Sequence, residues 1–299
     1  MRTTLDDLLR RRKIVVADGA WGTELSRYGL EPGEPPEIWN LTRPEAVRAV
    51  AAAYVAAGAD VILTNSFGGS RIKLERAGLA HRTREVNRRA AELSREAAGD
   101  HTLVFASVGP TGELLEPLGS LTGDRLIAAF AEQIAALIEG GADGIVIETM
   151  SDLREAEAAV KAARSVGRFT TVACMTFNRD RRGYATMMGI RPEQAARALT
   201  EAGADLVGAN CGSGADAMTG VIAAMRPATH LPLWAKPNAG MPEIVEGRTV
   251  FRQTPDEMVK HLDTLREAGA RVIGGCCGST PEHIRRIAEW RFRLLSEAG

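Results

Sequence analysis

The segment GADGIVIETM (residues 141–150) contains the two signals that decide the fold. Gly141 follows a long helical pattern, at the position where a residue in the left-handed conformation commonly ends a helix. The apolar run that begins at Gly144 is typical of a strand buried on both faces, as the strands of parallel sheets are. The segment therefore predicts the end of a helix and, directly after it, a buried parallel strand.

The same junction recurs along the chain, because Gly-Ala-Asp or Gly-Ala-Arg begins at Gly58, Gly141, Gly203 and Gly269. Eight apolar runs alternate with helical patterns, at residues 14–20, 60–67, 103–109, 144–150, 170–177, 205–210, 231–238 and 271–278. Eight such alternations predict a single α/β domain over residues 1–299, folded as a (β/α)8 TIM barrel. The alternative is an open doubly wound sheet, whose usual G-x-G-x-x-G turn is replaced by DGAWGTEL after the first run.

Helix-start signals agree with this alternation. Thr42 and Glu45 have the spacing of a capping box, and Thr254 with Pro255 predicts an N-cap followed by proline at the first helical position. Residues 122–140 carry apolar side chains at helical spacing, which indicates a helix packed on one face. Pro281 predicts the start of one last helix.

The charge balance excludes some function classes. The chain has 37 Lys+Arg against 38 Asp+Glu, which argues against a general nucleic-acid binder because phosphate neutralisation needs a basic surplus. It also gives no reason to expect an anionic membrane surface as partner. The charged N-terminal segment lacks the apolar core of a signal peptide, and no run of about 18 apolar residues would span a membrane. We therefore expect a cytoplasmic protein with reduced cysteines.

Three of the four cysteines follow predicted strands, at the barrel end that carries the chemistry in such folds. Cys211 directly follows the sixth run, and the adjacent Cys276 and Cys277 lie at the end of the eighth, so these two strand ends flank the seventh strand. The neighbouring glycines would let the chain turn so that adjacent cysteines face one point: Gly274, Gly275 and Gly278. Three thiolates without a fourth suit a zinc site with an open, catalytic position.

Other interpretations of the cysteines stay open at this point. Cys211 alone would be typical of a small buried apolar residue, and Cys276 with Cys277 could form a strained vicinal disulfide or be inert. Cys174 lies in the middle of the fifth run, where we predict that it packs in the core.

Two carboxylates also end apolar runs. Asp18 and Glu148 close the first and fourth runs, and a buried Glu148 would be costly without a partner such as a ligand ammonium group. Asp18 has the alternative role of capping the following helix. Backbone N–H groups in the turn at Gly19 and Ala20 are predicted to be free for a ligand carboxylate. Carboxylates near a thiolate-rich zinc indicate an α-amino acid that carries a thiol.

Together the chain resembles the homocysteine S-methyltransferase family from about residue 14 to about residue 291. The residues that carry the resemblance are DGAWGTEL, GADVILTNSFGG, GPTGELLEP, ETMSDLREA, GANCGSG, PNAGMP and GGCCGSTPEHI. The resemblance implies a (β/α)8 barrel that binds Zn2+ through Cys211, Cys276 and Cys277. It implies that the metal activates the thiol of homocysteine, which accepts a methyl group and becomes methionine.

The resemblance also implies roles for three further residues. Asp18 and Glu148 would hold the amino group of homocysteine, and Asn238 in PNAG is a candidate for the fourth zinc position when substrate is absent. A thiol with a pKa near 8.5 is mostly protonated at neutral pH, and zinc deprotonates a thiol that coordinates it. No general base on the protein is therefore required.

The methyl donor is expected to come from outside the chain. The segments around GANCGSG and PNAGMPEIVEGRTVFRQTPDEM resemble the homocysteine-binding module of cobalamin-dependent methionine synthase. From the 299 residues and the lack of a D-x-H-x-x-G cobalamin motif among them, we expect a protein without folate and cobalamin modules. We also expect it to lack the long C-terminal extension of betaine-using relatives. The expected donors are a sulfonium such as S-methylmethionine or a separate corrinoid methyl-carrier protein. Two alternatives remain: a zinc- or homocysteine-binding regulator or subunit, and a methyltransferase for another thiol or selenol.

Overall fold

The computed structural model describes residues 3–212, 214–245 and 248–296. Ser213 and residues 246–247, which fall within two of the motifs quoted above, lie outside the described residues. Eight strands form the central sheet: β1 (Val15–Val16), β2 (Val61–Leu63), β3 (Leu103–Val108), β4 (Gly144–Met150), β5 (Thr170–Met175), β6 (Leu206–Asn210), β7 (Leu233–Lys236) and β8 (Ala270–Ile273).

The sheet is a closed parallel barrel. Its strand order is β1-β8-β7-β6-β5-β4-β3-β2, and a parallel bridge between Ala17 and Val61 joins the two ends of that order. Closure confirms the predicted (β/α)8 TIM barrel and excludes the open doubly wound sheet. The four recurring glycines before strands are left-handed as predicted, with φ between 91° and 113°.

Helices surround the barrel. Their bounds are α1 (Leu5–Arg11), α2 (Gly22–Arg27), α3 (Trp39–Thr42), α4 (Pro44–Ala56), α5 (Arg71–Glu75), α6 (Thr83–Ala98), α7 (Gly123–Glu139), α8 (Leu153–Val166), α9 (Pro192–Glu201), α10 (Ala215–Met225), α11 (Pro255–Val259), α12 (Leu262–Glu267) and α13 (Pro281–Ser296). Two small antiparallel hairpins, Asn178–Asp180 with Gly183–Ala185 and Glu243–Val245 with Arg248–Val250, extend the loops after β5 and β7. None of the helices in the described part of the chain is both long and apolar enough to cross a bilayer.

Alternating strand residues build two apolar cores. Along β4, Ile145 and Ile147 pack with the surrounding helices, whereas Val146 lies in the cluster inside the barrel. That inner cluster also holds Leu5 and Leu8 of α1, so the N-terminal helix closes the barrel at the end where the strands begin. The strands therefore leave only their C-terminal ends open for a site.

One predicted helix start is wrong and another is confirmed. Thr42 is the last residue of α3 and its hydroxyl donates to the Ile38 carbonyl, so it does not cap α4. Because Pro44 has a fixed φ and no N–H group to satisfy, it starts α4 without a side-chain cap. Thr254 does form a capping box, with Glu257 at the start of α11.

Candidate functional site

The three cysteines predicted to meet do so at the mouth of the barrel. Their sulfur atoms all lie within 4.8 Å of one another, and Cys211 Sγ is 3.7 Å from Cys277 Sγ. The end of β7 and the loop after it hold the two cysteine segments together: the Lys236 carbonyl accepts from the Cys211 N–H at 3.0 Å, and the Pro237 carbonyl accepts from the Cys276 N–H at 2.7 Å. All three are free thiols.

The spacing of the sulfurs fits a zinc ion. Tetrahedral zinc with Zn–S bonds of about 2.3 Å places two of its sulfur ligands about 3.8 Å apart. The sulfurs of Cys211 and Cys277 are at 3.7 Å, and Cys276 lies beside them. No other group of three His, Cys, Asp or Glu side chains with metal-binding spacing occurs in the described part of the chain. Cys174 is fully buried inside the barrel, as predicted.

The three thiols are close enough to shift one another's pKa values. Hydrogen bonds from Cys276 and Cys277 lower the pKa of Cys211 to about 3, whereas the neighbouring Cys211 raises the pKa of Cys276 to about 12. The pKa of Cys277 is raised further still, first by its contacts with Cys211 and Cys276. A divalent cation is the ordinary means of keeping three adjacent thiolates deprotonated together.

Glu148 lies inside the mouth near the sulfurs. The ladder between β4 and β5 slips between Ile147 and Met150, and such bulges re-aim side chains next to active sites. The carboxylate accepts from the Ser107 hydroxyl and, at 3.4 Å, from Asn210 Nδ2. Burial raises the pKa of Glu148 to about 7, against a lowering by the nearby Lys236.

Asp18 is fully buried and already has three donors. Its carboxylate accepts from the Trp21 indole at 2.8 Å, the Leu63 N–H at 2.7 Å and the Lys236 ammonium at 2.5 Å. Burial lowers the pKa of Lys236, but Asp18 and Glu148 outweigh that effect and raise it. Lys236 therefore stays charged, and the three side chains together carry one net negative charge when both carboxylates are ionised.

The turn after Asp18 is more occupied than expected. The Ala20 N–H, predicted to be free, donates to the Ser279 hydroxyl at 3.2 Å, because the chain after β8 folds over this turn. Gly19 has no room for a side chain, since a Cβ would lie 2.7 Å from Tyr54 Oη and 2.9 Å from Ser279 Oγ. A role for Gly19 and Ala20 in binding a substrate carboxylate stays a prediction.

Asn238 carries an unpaired buried oxygen beside the cysteines. Its Nδ2 donates to the Gly212 carbonyl at 3.2 Å, and its Oδ1 has no hydrogen-bond partner among the described residues. An unsatisfied buried acceptor is costly. The role of Asn238 at the fourth zinc position stays a prediction.

The sequence interpretation assigned no role to Lys236, Asn210 or Ser107. Each had a readable signal, because each is a polar residue within or at the end of an otherwise apolar run. All three lie at the mouth and contact Asp18 or Glu148.

Fold and site together define a (β/α)8 barrel with a three-cysteine cluster and buried carboxylates at its C-terminal mouth. The sequence pattern of the homocysteine S-methyltransferase family matches residues 15–291, and the chain belongs to that family of methyltransferases.

Two curated proteins are similar to the chain in sequence, and one solved structure is similar to it in fold. The chain is 30% identical to the methionine synthase of Mycobacterium leprae (strain TN) and 31% identical to that of Mycobacterium tuberculosis (strain H37Rv), over 93% and 96% of its own length. It spans only 24% and 25% of those two proteins. The metallated form of the homocysteine methyltransferase MmuM from Escherichia coli has the same fold, with a TM-score of 0.79 and 24% identity over 95% of this chain and 99% of that one.

Proposed function

We propose that the protein is a zinc-dependent homocysteine S-methyltransferase that makes methionine. The observation that carries the proposal is the cluster of Cys211, Cys276 and Cys277 sulfurs at zinc-binding spacing, within the same mouth as Glu148 and Asp18. A metal site beside buried carboxylates suits a substrate that has a thiol at one end and an ammonium group at the other.

The three cysteines, with Asn238 Oδ1 in the absence of substrate, would hold the zinc ion. When bound, zinc would lower the pKa of a coordinating thiol, so that the sulfur of homocysteine would be a nucleophilic thiolate at neutral pH. The chain itself aligns that sulfur, because the cysteine segments are tied to the loop after β7 by backbone hydrogen bonds. Such alignment is a large part of what an enzyme contributes to a displacement at a methyl carbon.

Glu148 and Asp18 would recognise the amino group. Glu148 is the better placed, because among the described residues only Ser107 and, at 3.4 Å, the Asn210 amide donate to it, whereas Asp18 already accepts three hydrogen bonds. With both carboxylates ionised, the trio of Asp18, Glu148 and Lys236 has one net negative charge, which one ammonium group neutralises. Lys236 thus adapts the pocket to a substrate with a single positive charge.

The donor would be a methyl group presented from outside the described chain, on a small sulfonium or on a corrinoid protein. The homocysteine sulfur forms a bond to the methyl carbon while the methyl–donor bond breaks and its electron pair leaves with the donor. A sulfonium departs as a neutral thioether without further activation. The methyl group of methylfolate is attached to a nitrogen that leaves poorly, so methylfolate would need an intermediate carrier.

The test is methionine formation from homocysteine with each donor offered singly: S-methylmethionine, S-adenosylmethionine, betaine, methylfolate and methylcobalamin. We expect turnover with a sulfonium or with the corrinoid, and little with methylfolate alone. Robust turnover with methylfolate and no corrinoid would contradict the donor assignment. Other thiols offered as acceptors with the same donors check the homocysteine assignment, which fails if one of them is preferred.

A further inference from the structure

Two residues of the mouth have strained backbones. Thr149 (φ 62°) and Cys211 (φ 61°) are the non-glycine residues with positive φ in the described part of the chain. The left-handed region is costly for a side chain with a branched Cβ, and such strain persists only where the surrounding structure imposes it. Thr149 follows the carboxylate Glu148, and Cys211 belongs to the sulfur cluster.

The side chain of Asn210 imposes the conformation of Thr149. Asn210 is 1% exposed and ends β6, next to β5 and two strands from Thr149. Its Oδ1 accepts from the Thr149 N–H at 2.7 Å, and its Nδ2 donates to Thr149 Oγ1 at 2.7 Å. These two bonds replace the ladder that β4 loses at its bulge, where pairing with β5 slips.

The clamp on Thr149 holds the backbone directly after Glu148. Glu148 and Thr149 are the two residues between the paired positions Ile147 and Met150, so neither has a register partner in β5. Strand alternation places Glu148 on the same inward face as Val146. The clamp then fixes the chain on the C-terminal side of Glu148, where the strand leaves its register with β5.

The remaining N–H of Asn210 faces both halves of the site: the substrate half, which contains Glu148, and the metal half, which contains the three cysteines. Nδ2 has two hydrogens, and Thr149 Oγ1 takes one of them. The other lies between Glu148 Oε2 at 3.4 Å and Cys276 Sγ at 3.7 Å. A hydrogen bond to a coordinating sulfur lowers the electron density on that sulfur, and such partners of ligands tune a metal site.

We propose that Asn210 is a positioning residue that joins the substrate half of the site to the metal half. Its amide holds the Thr149 bulge directly after Glu148 and so steadies the carboxylate assigned to the amino group of the substrate, and its second N–H moderates the Cys276 thiolate. The inference rests on the proposed function for its substrate and metal, but the clamp on Thr149 is a property of the chain alone.

The first experiment removes the amide with Asn210→Ala. On the zinc-loaded protein, calorimetry is expected to show homocysteine affinity lowered about tenfold or more, as for the loss of a well-placed polar contact. In the Co2+-substituted protein, the sulfur-to-cobalt charge-transfer band is expected to move to lower energy, because Cys276 loses an N–H donor. Asn87→Ala is the matched control, since Asn87 is also buried and donates to two carbonyls away from the cysteines; its cobalt band should not move.

The second experiment adds Thr149→Gly to Asn210→Ala. Glycine adopts positive φ without cost, so the bulge should survive without its clamp and homocysteine affinity should largely recover. The cobalt band should stay shifted, because the N–H donor to Cys276 is still missing. The clamp on Thr149 would be overturned if Asn210→Ala bound homocysteine as tightly as the wild type, or if the double variant recovered no affinity. The contact between Asn210 and Cys276 would be overturned if the cobalt band of Asn210→Ala did not shift.

Melting of the metal-free proteins separates this inference from the proposed function. Thr149→Gly is expected to lower the Tm of the wild type slightly and to raise the Tm of Asn210→Ala. That reversal of sign supports the clamp even if the wild type binds no homocysteine, an outcome that would remove the proposed function alone. Equal effects of Thr149→Gly in both backgrounds would overturn the clamp whatever the protein binds.

Discussion

The two ends of the barrel bury different kinds of side chain. At the closed end, α1 inserts Leu5 and Leu8 into the inner hydrophobic cluster of the barrel. At the open end, within the same barrel, lie a buried ammonium group, two buried carboxylates, three thiols and two strained non-glycine residues. Stability arises from the first region, and the second contains the groups that burial alone would penalise.

The cysteines show this difference within one residue type. Cys174 is surrounded by apolar side chains, and burial raises its pKa well above the ordinary value. Cys211, Cys276 and Cys277 differ because each has sulfur neighbours and partial access to solvent. The position on the barrel, rather than the residue type, decides which thiols have a chemical role.

The largest expected effect is on metal content. The purified protein should hold about one zinc per chain, and serine at Cys211, Cys276 or Cys277 should reduce it severely, because a hydroxyl does not replace a thiolate ligand. Elemental analysis measures the zinc. Cys174→Ser is the control from the inner hydrophobic cluster, expected to keep its zinc and to lose about 1–3 kcal/mol of stability for a buried hydroxyl. Full zinc retention in all three mouth variants would remove the metal site.

The second effect concerns the buried ion pair at the mouth. Lys236→Met leaves Asp18 charged and buried, and breaking such a pair costs about 3–5 kcal/mol. Denaturant unfolding of the metal-free protein measures the loss. The double variant Asp18→Asn/Lys236→Met should recover most of it, since no unpaired charge then remains. Unchanged stability in Lys236→Met would mean that the mouth tolerates a bare carboxylate and that Lys236 has no electrostatic role.

A smaller effect tests the substrate half of the mouth. Glu148→Gln should weaken homocysteine binding by about 1.5–3 kcal/mol, or roughly tenfold to a hundredfold, through loss of a charge-assisted hydrogen bond. Zinc content should stay near that of the wild type. Titration calorimetry and metal analysis on the same sample separate the two. Loss of zinc with normal homocysteine affinity in the remaining loaded protein would show that Glu148 serves the metal instead.

The smallest effect is a dependence of stability on pH at the edge of the mouth. His283 is buried at the start of α13, where its Nδ1 accepts from the Thr280 N–H and its Nε2 donates to the Gln253 carbonyl. Burial lowers its pKa below 6.5, so the unfolded chain takes up the proton first. Its contribution is therefore complete above pH 6.5 and is lost as pH falls below that value.

His283→Gln should flatten the decline of stability between neutral pH and about pH 5. Unfolding free energies at several pH values measure the slope. His101→Gln, at an exposed histidine, should leave the slope unchanged. A steeper decline in His283→Gln than in the wild type would contradict the expected sign of the effect.

Much of the architecture was readable from the sequence. The junctions at Gly58, Gly141, Gly203 and Gly269 predicted where helices end, and all four are left-handed in the structure. The sequence also predicted that the three cysteines lie close together, because the parallel strands of a barrel all end at one mouth. The capping box assigned to Thr42 failed because two signals competed, and proline at the start of α4 prevailed over a side-chain cap.

The sequence by itself determined the period of the strands and helices, the ends at which they stop and the residue types at those ends, because these depend on neighbours along the chain. Tertiary structure alone decided the partners of the polar side chains. The ion pair of Asp18 with Lys236 joins residues 218 positions apart, and the Asn210 clamp on Thr149 joins residues 61 positions apart. No local pattern specifies such contacts, since they exist only after the barrel closes and brings distant strand ends within hydrogen-bonding distance.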